Sequence, residues 1–380
     1  MVRVSRSYQA VLVLATVFFG VAGCTSPAEY LRNGFKVGPN YCIPEGPVAD
    51  RWIEQSDVRL RSDSDVPDRW WSQMGDETLT GLIECAAGQN LSLRQAAFRV
   101  LQARMQLAIV QGNLFPQQQD ARGGFMRTAV RGGQTQHVVT TFPPPYHEGD
   151  ITAAPFFRDQ WSLGFNLTWE LDLWGRLRRA VTSAESMLDA SVHNYNDVLI
   201  TLLGDVATTY VQVRTLQQRI RLLQANVELQ RGIWTIARRR FEAGARNELD
   251  VVQAGSNLDQ TESAIPQLQV NLRAACLRLC VLLGIPPQDL EKRIGDNPIP
   301  TVPKELVVGI PADLLRRRPD VRRAESLAAA QAEQIGIAEA ALYPMFALNG
   351  TMAWQSENFS DLLANQWLGG GIGPVFQWNI

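Results

Sequence analysis

One helical pattern, over residues 177–241, constrains this chain more than any other feature. Apolar residues recur there every three or four positions, as on one face of a helix, and no proline occurs between Gly175 and Pro266. At 1.5 Å rise per residue, a helix from Leu177 to Phe241 is on the order of 100 Å long. Because a compact domain cannot bury such a helix, it must pack lengthwise along similar helices. The recurring residues are Leu188, Val192, Tyr195, Val198, Leu199, Leu202, Val206, Tyr210, Val213, Leu216 and Ile220.

The long helix is predicted to turn back on itself as a hairpin. Gly244 provides a C-terminal stop, because glycine adopts the left-handed conformation at little cost. Asn247 can then cap a returning helix from about Glu248 to Leu283. Gly284 and the two prolines that follow end this second helix, and Pro266 inside it should produce a kink.

An internal repeat organises the rest of the chain. Residues 91–116 align without a gap onto residues 319–344, and each copy ends in a leucine, an aromatic residue and a proline. Both copies are helical in composition, and the prolines Pro116 and Pro344 are helix stops.

Alternating segments follow both copies. From Trp161 to Leu173 every odd position is apolar and the even positions are small or polar, and residues 346–355 show a similar alternation. A strand with one apolar face and interfacial aromatic residues can span an outer membrane, although a soluble sandwich strand has the same period. Two strands per copy, joined by long loops such as residues 131–159, favour the membrane interpretation.

The N-terminus indicates export. Arg3 and Arg6 precede an apolar run from Ala10 to Ala22, which is too short for a transmembrane helix and is typical of a signal peptide. The run ends in Val-Ala-Gly-Cys, which resembles the lipobox of bacterial lipoproteins, so Cys24 is expected to be lipidated. An ordinary signal peptide with a chance cysteine is the alternative. In the enterobacterial sorting pattern, Thr25 after the cysteine favours the outer membrane.

Composition excludes several functions. With 36 basic and 38 acidic residues the net charge is -2, which gives no basic surface for nucleic acid. The three histidines are scattered, and no nucleophile-base pair, metal cluster or phosphate loop is found, so neither an enzyme nor a cofactor is expected. Cys276 and Cys280 should pack as small apolar side chains on the returning helix, while disulfides that also involve Cys42 and Cys85 remain possible.

Several motifs occur along nearly the whole chain after the signal peptide. They are Val37-Gly38-Pro39-Asn40-Tyr41, Trp70-Trp71 with Gly75-Asp76, Leu114-Phe115-Pro116, the predicted strand end Trp169-Glu170-Leu171-Asp172-Leu173-Trp174-Gly175-Arg176, Phe241-Glu242-Ala243-Gly244 with Leu249-Asp250-Val251, and Gly309-Ile310-Pro311-Ala312-Asp313-Leu314-Leu315-Arg316-Arg317-Arg318-Pro319-Asp320-Val321-Arg322. Together they resemble the TolC-like outer membrane factors, in particular the NodT-like lipoproteins of RND-type efflux pumps, and the last motif is the most specific.

The resemblance implies an α+β membrane protein with a TolC-like fold, a long antiparallel helical hairpin and transmembrane strands. Three copies would share a twelve-strand β-barrel and a helical tunnel that passes drugs or other small molecules passively. The implied partners are a periplasmic adaptor, an inner-membrane RND transporter and outer-membrane lipid. By position in the tip motif, Gly244 and Leu249 belong to the periplasmic tip and Asp250 to a cation-selective gate, although a first-turn carboxylate is also favoured by the helix dipole.

The repeat suggests segment boundaries. We expect a signal peptide over residues 1–23, a lipidated and equatorial segment over 24–90, a first repeat with its hairpin over 91–290 and a linker over 291–313. Residues 314–380 form a second repeat that contains a helix and two strands and lacks its hairpin, as in a C-terminally truncated member. The alternatives are a periplasmic efflux adaptor, a helical enzyme or lipid-binding lipoprotein, and a structural or non-functional envelope fragment.

Overall fold

The computed structural model describes residues 26–44, 53, 57, 60–61, 69–130, 135–140, 147–152, 156–301, 306–307, 315–364, 366 and 368–378. Cys24 and the first six residues, 309–314, of the motif over residues 309–322 lie outside the described residues. The chain forms two compact units, one drawn from residues 1–42, 105–185 and 329–380 and the other from residues 43–104 and 186–328. Because each unit combines separate parts of the chain, the segment boundaries expected from the repeat stay predictions.

Helices account for most of the described chain. In chain order they are α1 (Pro27–Arg32), α2 (Glu77–Gln89), α3 (Leu91–Gly112), α4 (Arg176–Glu242), α5 (Glu248–Leu283), α6 (Glu291–Ile294) and α7 (Pro319–Ala340), with a 3-10 turn over Trp70–Met74. Among the described residues, no helix combines the length and the apolar character that crossing a lipid bilayer requires.

The two hairpin helices agree with the prediction. Helix α4 has 67 residues and helix α5 has 36, and their ends lie within one residue of the positions expected from periodicity. Helix α5 continues through Pro266, so the proline does not end it, and the kink stays a prediction. It stops at Gly284, where φ is +69°.

The strands are β1 (Leu60–Arg61), β2 (Gln118–Val130), β3 (Thr135–Thr140), β4 (His147–Thr152), β5 (Phe156–Leu171), β6 (Leu306–Val307), β7 (Met345–Ser356) and β8 (Leu368–Gln377). Strands β2, β5, β7 and β8 form one four-stranded antiparallel sheet in that order. Two further pairs are separate, parallel β1 with β6 and antiparallel β3 with β4.

The sheet brings the two copies of the repeat together. Helix α3 and strands β2 and β5 form the first copy, and helix α7 and strands β7 and β8 form the second, with 22 residues in each helix. The central pairing joins β5 to β7, with Phe165 opposite Met352. One sheet therefore contains two strands from each copy, as the alternation predicted.

Two details of the predicted strands were wrong. Strand β5 ends at Leu171 rather than near Trp174, because the Asp172 carboxylate accepts the backbone N–H groups of Leu177 and Arg178 at 3.0 and 2.9 Å and so starts helix α4. Residues 131–159 are not a plain loop, since they contain the paired strands β3 and β4 and the beginning of β5. Val138, Val139 and neighbouring threonines give this segment the β-propensity that the prediction overlooked.

The main apolar core packs helix α2 against the two hairpin helices. Val206, Tyr210 and Val213 are fully buried there, as the helical pattern predicted, whereas Val192 is exposed. Cys276 and Cys280 pack in the same core, and the four described cysteines are free thiols. The interpretation of these two cysteines as small core side chains is confirmed.

Candidate functional site

The turn between helices α4 and α5 is the candidate site that the sequence indicated. Helix α4 ends at Glu242, and Gly244 adopts φ +71°, the left-handed conformation expected of a C-terminal stop. The N–H of Gly244 donates to the carbonyl of Phe241 at 2.8 Å, and the N–H of Ala245 donates to the carbonyl of Arg240 at 2.9 Å. These bonds use the carbonyls left free at the helix end and reverse the chain.

Asn247 begins the return helix differently from the prediction. Its backbone is extended, with φ -82° and ψ 151°, as a capping residue requires. The side chain, however, forms no capping hydrogen bond. The first turn is instead favoured by the carboxylates of Glu248 and Asp250, which lie where the helix dipole attracts negative charge.

Asp250 is an accessible carboxylate at this turn. Its side chain is 47% exposed and lies 3.9 Å from a guanidinium nitrogen of Arg246, four residues before it. Such an exposed pair contributes little stability, so it leaves the carboxylate available for other contacts. Leu249 beside it is exposed and contacts no core cluster. The geometry confirms that Asp250 is in the first helical turn, while its role in a gate stays a prediction.

Below the turn, a series of polar and aromatic contacts holds the two helices together. A Cβ atom on Gly255 would lie 3.3 Å from the indole nitrogen of Trp234, so a glycine lets the helices approach closely here. One turn farther from the tip, Arg231 pairs with Glu262 at 2.7 Å. The hydroxyl of Thr261 donates to the side-chain oxygen of Gln230 at 3.0 Å. The sequence analysis missed these contacts, although Gly255 within a helix was a signal of close packing.

Both hairpin helices also present large apolar side chains outside the core. In a single chain these residues are exposed, and the spacings of three, four and seven residues within 222–236 and of seven and four residues within 270–281 match the seam of helices that pack lengthwise. The set comprises Leu222, Leu229, Ile233 and Ile236 on α4, and Leu249, Val252, Val270, Leu277 and Val281 on α5.

The four-stranded sheet also presents exposed apolar side chains, here aromatic ones on one face. Phe125 packs on Trp161 with ring centroids 4.5 Å apart, and Phe165 meets Trp354 edge-on at 6.3 Å. Phe125 and Phe165 are nevertheless exposed. A row of exposed aromatic residues on one sheet face is unusual for a water-facing surface and suits contact with lipid.

Two buried arginines were not singled out by the sequence. Arg179, near the start of α4, pairs with Glu333 of α7 at 2.7 Å. Arg214 donates to the carbonyls of Ile294 and Gly295 at 2.8 and 2.7 Å and to the Tyr210 hydroxyl at 3.0 Å. Tyr210 in turn donates to Asp76 at 2.6 Å, and burial together with this bond raises the pKa of Tyr210. The described part of the chain holds no cluster of three or more residues suited to a metal ion.

Comparison with known proteins agrees with these features. Nodulation protein T of Rhizobium leguminosarum bv. trifolii is 32% identical over 85% of this chain and 65% of its own length. The pyoverdine export outer membrane protein OpmQ of Pseudomonas aeruginosa is 29% identical over 83% of this chain and 65% of its own. The chain thus spans about 65% of the length of these curated relatives.

Solved structures confirm the TolC-like fold. The outer-membrane channel OprN superposes with a TM-score of 0.79 at 29% identity, over 90% of this chain and 73% of that one. The family model described as outer membrane efflux protein matches residues 82–285, more than half of the chain. That family comprises channel and transport proteins rather than enzymes. The chain belongs to the outer membrane efflux protein family.

Proposed function

We propose that this chain is a subunit of the outer-membrane duct of a tripartite efflux pump. The observation that carries the proposal is the hairpin of α4 and α5, whose exposed apolar rows need further helices to cover them. Three copies of the chain placed side by side would provide such helices. The exposed aromatic face of the sheet would then contact outer-membrane lipid.

In this duct, transport is passive and the chain performs no enzymatic chemistry and needs no cofactor. A periplasmic adaptor and an inner-membrane RND transporter supply the substrate and the driving force. Drugs or other small molecules are the cargo class, in line with the toluene and antibiotic efflux pumps to which relatives belong. Family membership separates the chain from the adaptor considered as an alternative, since its matching relatives are outer-membrane components.

The duct proposal is tested by export and by conductance. In a strain that lacks the gene, sensitivity to efflux substrates should rise, and expression of the chain with its partner pump should restore resistance. Purified protein reconstituted in a planar bilayer should conduct ions. Normal resistance in the deleted strain, with no change on expression and no conductance from the purified protein, would sink the proposal.

At the tip, we assign the gate to Asp250, with Gly244 and Leu249 shaping the turn that presents it. One carboxylate per copy forms a ring that attracts cations at a constriction. Asp250→Asn should therefore weaken block of the channel by multivalent cations. The matched control is Asp259→Asn, on the same helix and farther from the tip. Equal block in the wild type and both variants would remove Asp250 from the gate.

The N-terminal anchor is assigned to Cys24. Labelling cells with radioactive palmitate should mark the wild-type protein, and Cys24→Ser should abolish the label. Cys42→Ser serves as the control, because Cys42 is an exposed free thiol. A label that survives Cys24→Ser would exclude this residue as the lipid site.

A further inference from the structure

The N-terminal part of the chain contains a segment, residues 30–40, that is held at one end of helix α4 by a buried arginine. The Nε of Arg179 donates to the carbonyl of Val37 at 2.7 Å, and one terminal nitrogen donates to the carbonyl of Gly38 at 2.6 Å. The other terminal nitrogen pairs with Glu333 of helix α7 at 2.7 Å. The Arg179 side chain is 0% exposed and that of Glu333 is 9% exposed. One guanidinium therefore joins three separate parts of the chain.

Two glycines make room for this arrangement. Gly38 adopts φ +83°, and a Cβ atom there would lie 2.8 Å from the Cα of Gly336 on helix α7. A Cβ atom on Gly336 would overlap the guanidinium of Arg179. Any side chain at either position would displace the segment or the arginine, so the fit depends on both glycines.

Neighbouring contacts hold the same segment along its length. Arg178 donates to the carbonyls of Gly34 and Phe35 at 2.7 and 2.6 Å. The hydroxyl of Tyr30 donates to the carbonyl of Leu173 at 2.7 Å, and the N–H of Val37 donates to the carbonyl of Trp174 at 3.0 Å. Residues 30–40 are thus bonded to the turn that starts α4 as well as to the helix itself.

We propose that residues 30–40 are a clamp that locks the start of helix α4 to helix α7, with Arg179 as the positioning residue on which the clamp closes. A buried ion pair adds little net stability compared with an apolar contact, but removal of one partner leaves an uncompensated charge. Arg179 and Glu333 therefore hold residues 30–40 in one register, and loss of their ion pair releases the segment as a unit. Through this clamp the N-terminal segment fixes how the two copies of the repeat meet. The inference rests on these contacts and is independent of the proposed duct function.

Hydrogen exchange of the full-length chain in detergent tests the clamp. Arg179→Lys keeps the positive charge but cannot reach all three acceptors, and Glu333→Gln keeps the shape but removes the counter-charge. Each should speed exchange in peptides covering residues 34–41 by about tenfold, because opening the clamp becomes easier. Arg176→Lys is the matched control, since Arg176 is in the same helical turn but its guanidinium pairs with Glu170 of strand β5 rather than with residues 30–40.

A third variant separates steric from charge effects. Gly336→Ala retains both charged groups but places a methyl group against the guanidinium, so it should open the clamp as Arg179→Lys does. The double variant with Arg179→Lys and Gly336→Ala should show exchange over residues 34–41 that is no faster than in the quicker of the two single variants, because both changes open the same clamp. Exchange over residues 34–41 that stays at the control rate in Arg179→Lys, Glu333→Gln and Gly336→Ala would overturn the clamp, whatever the conductance of the protein.

Discussion

The indole N–H of Trp169 donates to the backbone carbonyl of Leu114 at 3.1 Å, and so ties the end of strand β5 to the turn that follows helix α3. The second copy contains the same contact, because Trp378 donates to the carbonyl of Leu342 at 3.0 Å. Leu114 and Leu342 are aligned residues of the repeat. The two copies thus share a specific hydrogen bond as well as their order of elements.

Trp169→Phe should remove this bond while keeping most of the ring. The Leu114 carbonyl then loses its partner in a partly buried position, so the free energy of unfolding should fall by about 1 kcal/mol. The fall is measured by urea titration of the purified chain in detergent. Trp161→Phe is the control, because the Trp161 ring on the same sheet packs on Phe125 of strand β2 and on Phe359 of the 3-10 turn after strand β7. An equal loss in both variants would show that ring size rather than the hydrogen bond matters.

The long elements were predictable because their patterns are local and repeated. Periodicity over 67 residues gives many independent signs of one helix, and Gly244 and Gly284 mark its return. The buried arginines were not predictable, since Arg179 follows Arg178 on the same helix and nothing local distinguishes them. Their acceptors, such as the carbonyls of Val37 and Gly295, come from distant parts of the chain.

The candidate site was predicted in position rather than in detail. The turn and the first-turn carboxylates lie where the motif placed them, because caps and stops are encoded by neighbouring residues. The contacts that hold the hairpin, such as Arg231 with Glu262, depend on how two helices are aligned along their length. Sequence periodicity fixes which face of each helix is apolar but not this alignment.

Gly284→Ala should destabilise the chain more than the same change at Gly75. Both glycines end helices in the left-handed conformation, with φ and ψ of 69° and 26° at Gly284 and of 62° and 25° at Gly75. Their surroundings differ, because a Cβ on Gly284 would overlap the carbonyl of Gln89, whereas a Cβ on Gly75 would meet no atom within 4 Å. Gly75→Ala should thus cost about 1 kcal/mol for backbone strain alone, and Gly284→Ala clearly more.

Urea titrations of the two glycine variants, run in parallel with the wild type, measure this difference. The comparison isolates the steric contribution, since the backbone strain is nearly the same at both positions. Equal losses of unfolding free energy would mean that helix α5 and the end of helix α2 move apart freely, which contradicts the close contact between them.

Arg214→Met should be among the most destabilising single changes in the chain. The side chain of Arg214 is buried, and its loss leaves the carbonyl of Ile294 without this donor and that of Gly295 with only a long 3.4 Å bond from the Gln217 amide. We expect a loss of about 2–4 kcal/mol in the free energy of unfolding, seen as a lower urea midpoint. Arg221→Met is the matched control, because its ion pair with Asp296 is 48% and 65% exposed and should contribute about 0–1 kcal/mol. Similar losses in the two variants would contradict a structural role for the buried network.

The buried thiol of Cys276 should make stability depend on alkaline pH. Burial raises the pKa of Cys276 to about 11, from an ordinary value of 9.0, with a smaller contribution from the charge of Glu291. Since the folded pKa is the higher one, this group's contribution is fully present below pH 9.0 and is lost as pH rises toward 11. Unfolding free energies measured at pH 8 and at pH 10.5 should therefore differ less in Cys276→Ala than in the wild type.

The burial of Cys276 also predicts its reaction with iodoacetamide. At pH 8 the reagent should modify exposed Cys42 and spare Cys276 until urea unfolds the chain. Modification of Cys276 before unfolding would contradict its place in the core.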